Sequence, residues 1–294
     1  MKIVITGSLG NISGPLSEEL IQRGHSLTII SSNAEKTAAI ESLGSAAAIG
    51  YLSDTEFLKA SFTGADAVYC MVPPDYDQPD QIAYYKTLGE NYKKAIIASG
   101  VKRVVNLSSY GAHLSSGNGF IAGAYYLEQI LNTIPGIDLT HLRPTYFYYN
   151  LLSFIPMIKA AGFIGTVYGD TDRLPLVAPR DIATVAAEEL VTTIRVSPIR
   201  YISSDERSCN EIAAVLGHAI GKPGLKWITL SKELALNNLK DSGLSDEYIS
   251  KLLELGEAIH NGKLHEDYTL HTPVPGKVKL EEYAREFSVL FYAK

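Results

Sequence analysis

The chain has 294 residues, 46% of them hydrophobic, and a formal net charge of −6. That composition supports a sizeable core, in one large domain or in a main domain with a smaller lobe. The acidic balance, with no basic run, argues against nucleic acid and against an anionic membrane surface, and no apolar run reaches membrane-spanning length.

The β-branched run over 2–6 predicts a strand, and it leads into Gly7-Ser8-Leu9-Gly10-Asn11-Ile12-Ser13-Gly14 and a helix with Pro15 in its first turn. A strand starting at residue 2 leaves no room for a signal peptide, so a cytoplasmic location is expected. Strands are read at 26–30, 46–49 and 66–71, with helices at 34–43 and 54–62; Asp54 caps the second. Pro73-Pro74 ends the fourth strand. Ile82, Tyr85, Leu88, Tyr92 and Ile96 recur at helical spacing, and Gly100 closes that helix. A strand over 103–107, a helix over 122–132 and a strand over 138–142 follow. After Arg143-Pro144 the rhythm breaks. Helices are read at 151–161, 179–193, 210–220, 232–240 and 246–261, with a short strand at 165–168.

Strands alternating with helices imply parallel pairing through right-handed crossovers. The expected fold class is therefore α/β, a Rossmann-type doubly wound parallel sheet with a smaller, mostly helical C-terminal lobe. Residues 1–145 plus about 168–194 form the expected nucleotide-binding domain, and about 146–167 plus 195–294 the small substrate lobe. Cys70 and Cys209 have no partner spacing and read as small buried hydrophobes. The seven histidines contain no i,i+4 pair and have no cysteine cluster nearby, so no metal site is expected.

The glycine turn is the first candidate site. Gly7 permits a sharp turn, Gly10 lets backbone approach a pyrophosphate, and the helix N-terminus favours anionic charge. The pattern is G-x-x-G-x-x-S-G, with Ser13 where a third glycine packs helix against strand in the usual dinucleotide fingerprint. Gly7, Ser8, Leu9, Gly10, Asn11 and Ile12 are the expected phosphate contacts. The stretch Ser31-Ser32-Asn33-Ala34-Glu35-Lys36 has no acid at the strand end, where an NAD binder holds its ribose. Ser31, Ser32, Asn33 and Lys36 offer hydrogen bonds and one charge to a 2′-phosphate, so NADP(H) is preferred over NAD(H). Met71, Val72 and Pro73 are expected on the adenosine–ribose side, and Ser108 and Ser109 beside the nicotinamide, because ligands bind at the carboxyl ends of parallel strands.

Several segments carry a family likeness. They are Thr6-Gly7-x-x-Gly10, 66–74 with its Pro-Pro end, 101–112 with Ser108-Ser109-Tyr110, Thr140-His141-Leu142-Arg143-Pro144, Phe147-x-x-Asn150, Pro179-Arg180-Asp181-Ile182-Ala183 and 279–287. In this ordered set the chain resembles the NmrA-like branch of the atypical short-chain dehydrogenase/reductase family. The resemblance implies an NAD(P)-binding Rossmann core and a small C-terminal lobe. That family includes NADPH-dependent quinone and dye reductases, and also cofactor-sensing regulators without catalysis. Similar sequences often carry Arg where Ser32 stands, and Asp where Tyr51 stands; Tyr51 either stacks on adenine or packs.

The Tyr-x-x-x-Lys pair of short-chain dehydrogenases is missing: Tyr125 is followed by Gln129 and Tyr126 by Ile130. Glu128 is retained on that helix, with Ala124 where relatives carry Lys or His. Three readings stay open. One is a reductase that passes hydride from NADPH to an electron-poor acceptor, a quinone or azo compound, with water supplying the proton. Another is a nucleotide sensor acting through a protein partner. In the third, Tyr110 or Tyr126 serves as catalytic proton donor. The substrate cleft implied by the family would involve Tyr110, His113, Tyr146, Phe147 and Asn150, whose flat apolar walls suit a small planar acceptor. The run Tyr146-Phe147-Tyr148-Tyr149 cannot face one cleft throughout, so part of it packs. Arg143 reads either as an anion contact or as half of a buried pair with a carboxylate such as Asp181. A monomer and a homodimer are both compatible with the sequence.

Overall fold

Residues 1–75, 78–194, 197–240 and 243–293 are described in the computed structural model of the chain. The first half runs β1 (Lys2–Ile5), α1 (Ser13–Gln22), β2 (Ser26–Ser31), α2 (Thr37–Ser42), β3 (Ala46–Ile49), α3 (Thr55–Phe62), β4 (Ala67–Cys70), α4 (Gln81–Ser99), β5 (Arg103–Leu107), α5 (Ala122–Asn132) and β6 (Asp138–Pro144). The second half runs β7 (Tyr146–Phe147), α6 (Ile155–Ala161), β8 (Ile164–Thr166), β9 (Arg173–Val177), α7 (Pro179–Val191), β10 (Ile199–Ile202), β11 (Asp205–Ser208), α8 (Cys209–Ala219), β12 (Trp227–Thr229), α9 (Lys232–Lys240), α10 (Asp246–His260), α11 (His265–Leu270) and α12 (Leu280–Tyr292).

Local chemistry sets the ends of these elements. The Asp54 carboxylate accepts from the Phe57 N–H and starts α3, and Asp80 does the same for α4 through Ala83. Gly100 ends α4 with φ 74°, a left-handed conformation that glycine adopts without strain. The seven-stranded sheet has the order β10-β6-β5-β4-β1-β2-β3. Its pairs β1–β2, β1–β4, β2–β3, β4–β5 and β5–β6 are parallel. This is the doubly wound Rossmann arrangement, and the strand order reverses between β1 and β4. Ligands bind at such a switch point, outside the carboxyl ends of the strands.

The chain divides into two compact units. One holds residues 1–112, 123–143 and 182–200, and the other holds 113–122, 144–181 and 201–294. The core of the first includes Val4, Ile30, Phe62, Val68 and Val104, with Phe62 and Tyr92 stacked at 6.4 Å. Arg103 is buried there. Its guanidinium meets the Glu189 carboxylate at 2.7 Å and donates to the Glu189 carbonyl, tying α7 to β5. In the second unit Tyr148, Leu216, Trp227, Phe287 and Phe291 build the core, and Tyr148 stacks on Tyr283 at 5.0 Å. The Trp227 indole N–H donates to the Thr166 hydroxyl at 2.8 Å, so its one polar atom is satisfied inside that core.

The division departs from the expected domain limits. Segment 113–122 lies in the second unit because its turn packs on α10: a Cβ on Gly119 would come within 2.4 Å of the Lys251 carbonyl. Segment 168–181 lies there too, since β9 pairs with both β7 and β11. The expected lobe boundary at 195 falls on residues 195–196, outside those described. The expected helix over 34–43 is a 3-10 turn (Ala34–Lys36) followed by α2, and that over 151–161 is a 3-10 stretch (Tyr148–Phe154) followed by α6. Beyond residue 200 the chain is less uniformly helical than expected, because β10, β11 and β12 interrupt it. β9 was hidden by Pro175, and β11 by its charged sequence.

Cys70 and Cys209 are buried thiols whose ionisation is pushed upward by desolvation. Among the described residues no helix is long and apolar enough to cross a membrane, and no group of three His, Cys, Asp or Glu side chains is placed to hold a metal ion. Phe287 is fully buried on α12. Phe287→Ala is therefore expected to lower the unfolding free energy by about 3–5 kcal/mol, read by denaturant melts; a loss under about 1 kcal/mol would mean that α12 is not part of the core.

Candidate functional site: a glycine turn and a buried carboxylate

The turn after β1 has no room for a side chain at Gly7. Gly7 has φ 93° and Ser8 has φ 56°. A Cβ on Gly7 would stand 2.7 Å from the Ser13 hydroxyl and 3.1 Å from the Met71 side chain. The Ser8 N–H donates to the Ile30 carbonyl at 3.0 Å, and the Gly10 N–H to the Gly7 carbonyl at 3.2 Å. Ser13 stands where a third glycine was expected, and it has a definite task. Its buried hydroxyl donates to the Thr6 carbonyl at 2.9 Å, binding the start of α1 to the end of β1. No side chain caps α1, and its first turn holds no acid. Gly10 and Asn11 are exposed in front of it, while Leu9 is half-buried and Ile12 buried. An uncapped helix start with exposed backbone before it suits an anion.

At the end of β2 the polar side chains divide. The buried Ser31 hydroxyl accepts from the Ser8 hydroxyl at 3.0 Å and from the Asn33 N–H at 3.2 Å, so it fastens the two turns together. The Asn33 side-chain oxygen caps the following turn through the Glu35 N–H at 2.8 Å. Ser32 and Lys36 are exposed. Tyr51 keeps 65% of its surface exposed, so it does not pack.

The end of β4 is clamped. The Met71 N–H donates to the Thr6 hydroxyl at 2.9 Å, and the Tyr92 hydroxyl donates to the Met71 carbonyl at 2.6 Å. Burial holds the Tyr92 phenol far above its ordinary ionisation range, so it stays a donor. Both backbone groups of Met71 are thereby used. Val72 is buried and Pro73 half-buried beyond it. The sequence did not mark Thr6 or Tyr92 as supports of this turn. Tyr92 sits in an apolar helical stripe and reads as core, and only its phenolic oxygen hinted otherwise.

Next to it, the ends of β5 and β6 carry a buried charge pair. Arg143 donates from Nε to Glu128 Oε1 at 2.9 Å and from Nη2 to Oε2 at 2.6 Å, and both residues are almost fully buried. The expected partner Asp181 is elsewhere. It accepts from the Ser204 hydroxyl at 2.6 Å and the Val278 N–H at 3.1 Å, fixing the segment before α12. Arg143 is thus half of a buried pair, with a carboxylate supplied by α5. Ser108 donates its hydroxyl proton to Glu128 Oε1, and its N–H donates to the Leu142 carbonyl at 2.7 Å. The Ser109 hydroxyl donates to the Tyr110 carbonyl, and Tyr110 is buried. Tyr126 is half-buried, with the Lys86 ammonium 3.7 Å from its ring centroid.

The remaining cleft candidates belong to the second unit. His113 Nε2 lies 3.2 Å from the Lys263 carbonyl. Tyr146, on β7, has its hydroxyl 3.4 Å from that of Tyr168, and desolvation pushes the Tyr146 phenol up to about 12. Neither phenol is a base near neutral pH, since burial raises Tyr168 as well. The Phe147 ring lies 5.0 Å from that of Tyr149. Tyr148 faces the core. Asn150 is exposed, and its carbonyl accepts from the Ser153 hydroxyl at 2.7 Å.

The model of the NmrA-like family matches residues 1–263. A curated relative from Streptomyces griseus, a (4-alkanoyl-5-oxo-2,5-dihydrofuran-3-yl)methyl phosphate reductase, is 28% identical over 222 residues, covering 75% of this chain and 74% of its own. Among solved structures, an NADPH-dependent quinone oxidoreductase from Escherichia coli complexed with NADPH is similar at TM-score 0.83 and 21% identity, over 97% of this chain and 99% of that one. The triphenylmethane reductase of Citrobacter sp. is similar at TM-score 0.81 and 19% identity, over 98% and 100%. A nucleoside-diphosphate-sugar epimerase from Staphylococcus aureus reaches TM-score 0.80 at 20% identity, over 97% and 100%. At these identities the solved structures establish the shared fold.

Removing one member of a buried pair leaves an uncompensated charge. Arg143→Met is expected to cost about 3–5 kcal/mol of stability in denaturant melts. A variant as stable as the parent would contradict a buried Arg143–Glu128 pair.

Proposed function

The chain belongs to the NmrA-like family, and from that premise we propose that it is an NAD(P)H-dependent oxidoreductase that reduces an electron-poor acceptor such as a quinone or azo compound. The observation that carries this reading is the turn at Gly7, closed to side chains and set before the uncapped, acid-free start of α1. The reductase relatives and their quinone and dye acceptors support it by likeness.

The residues present fit a dinucleotide. Gly10 leaves the approach to α1 open, and the exposed backbone at Asn11 before the uncapped helix start offers a donor to a pyrophosphate, with Ser8, Leu9 and Ile12 completing the turn. Ser32 and Lys36 are the exposed groups that would meet a 2′-phosphate, and no acid at the end of β2 repels it, which favours NADP(H) over NAD(H). Of the other two candidates there, the Ser31 hydroxyl and the Asn33 oxygen are used within the turn, which leaves the Asn33 amide. Met71, Val72 and Pro73 would border the adenosine–ribose side, and Ser108 and Ser109 the nicotinamide side. A bound reduced nicotinamide supplies a hydride.

The chain's own part is to hold, orient and shield. Tyr126 has Lys86 against its ring face, and the Tyr-x-x-x-Lys acid of short-chain dehydrogenases is absent from α5, which favours an acceptor that takes hydride directly and its proton from water. That same lack of an acid keeps a second reading in view: a nucleotide sensor that binds NADPH without turnover. Acceptor-dependent NADPH oxidation separates the two.

Gly10→Asp would put a side chain and a negative charge into the phosphate position and is expected to abolish NADPH binding in a calorimetric titration; unchanged affinity would remove the turn from the site. Ser32→Arg would add a guanidinium–phosphate pair and is expected to raise the NADPH-to-NADH affinity ratio about tenfold. An unaltered ratio would mean that the end of β2 does not read the phosphate.

A further inference from the structure

The group Ser108–Glu128–Arg143 is buried at the carboxyl ends of β5 and β6, and neither its position nor its composition is explained by packing alone. Glu128 is 2% exposed and Arg143 4% exposed, whereas Ser108 retains 7% of its surface. The guanidinium is always charged and grips both carboxylate oxygens, at 2.9 and 2.6 Å, so Glu128 is ionised. An ionised carboxylate has no proton and accepts only. The Ser108 hydroxyl, within hydrogen-bond reach of Oε1, must therefore be the donor in that bond. Its single proton points inward, and what remains for a ligand is its lone pairs.

We propose that Glu128, held by Arg143, fixes Ser108 as a hydrogen-bond acceptor at the end of β5, where it recognises the carboxamide N–H of a nicotinamide. Ser108 is the group that touches the ligand, and Glu128 and Arg143 are positioning residues. This inference rests on the dinucleotide reading above and adds to it an assigned polarity. A serine free to rotate donates or accepts according to the partner offered. A serine locked by a buried carboxylate discriminates, because a ligand that presents a carbonyl instead of an N–H meets lone pairs on both sides. The same lock has a chemical consequence. Ser108 cannot hand its proton to an acceptor, since Glu128 has none with which to replace it. The residue therefore orients and does not act as an acid.

The other hydroxyls at this edge of the sheet are also turned inward. Thr6 donates to the Tyr69 carbonyl, and Tyr92 to the Met71 carbonyl. Thr6 and Tyr92, like Ser108, thus spend their hydroxyl protons on the protein.

The test compares two dinucleotides by calorimetric titration: NADPH, which has a carboxamide, and its 3-acetylpyridine analogue, which has a carbonyl but no N–H. The parent chain is expected to bind NADPH at least about fivefold more tightly than the analogue, the effect of one buried hydrogen bond. Ser108→Ala is the sharper variant, because it removes the acceptor and spares the Glu128–Arg143 pair; it should bring the ratio to about one. A merely structural role for Ser108 would weaken both ligands equally and leave the ratio in place. The double variant Glu128→Leu/Arg143→Met removes the lock without leaving a buried charge, so Ser108 is free to donate and the ratio should fall toward one; a ratio kept in that variant contradicts the positioning role of Glu128. A ratio unchanged in Ser108→Ala while NADPH still binds overturns the inference and leaves the dinucleotide reading intact. A parent chain that binds neither dinucleotide overturns both.

Discussion

The turn between β1 and α1 leaves no room for a side chain at Gly7, and the ends of β1, β2 and β4 are fastened around it. Gly7 and Ser8 both take left-handed backbone angles. Glycine does so freely. Serine does so at a cost, so the surrounding structure has to hold it there. The Ser8 N–H on the Ile30 carbonyl and the Ser8 hydroxyl on Ser31 supply that hold from β2. Ser13 and Thr6 supply it from α1 and β1. The turn is therefore held by the chain's own hydrogen bonds.

The second constraint is a buried charge pair. Pairs such as Glu128–Arg143 are seldom good value for stability alone, because desolvation offsets much of the Coulomb gain. Here the carboxylate also determines where a serine proton lies. The pair is hence better understood as an orienting device than as a brace. By contrast, Arg103–Glu189 in the same unit ties α7 to the sheet through the helix backbone itself, as expected of a structural link.

Much of the first unit could be read from the sequence, and the reasons are physical. β1, β3 and β4 are short, mostly apolar runs followed within three residues by glycine or proline, and helical stretches separate the strands, so the parallel sheet and the glycine turn were visible. Helix α4 was legible from Tyr92 and its neighbours and from Gly100. The partner of Arg143 was not, because Glu128 and Asp181 are equally plausible acids until α5 is placed against β6. Nor was the inward use of Ser31 and Asn33, since a serine offered to a ribose and a serine bonded into its own turn look alike in one dimension. In the second unit β7, β8 and β12 span two or three residues each. They are formed by pairing across long sequence separations, as with Trp227 against Ile164, and local pattern carries little of that information.

The most direct test of the account is a titration of the purified chain with NADPH and with NADH, followed in the same samples by addition of a small quinone. The account predicts saturable binding, tighter for NADPH, and oxidation of NADPH that depends on the quinone. Absence of binding to either dinucleotide would contradict the reading of the Gly7 turn, and tight binding without quinone-dependent oxidation would contradict the assignment as a reductase.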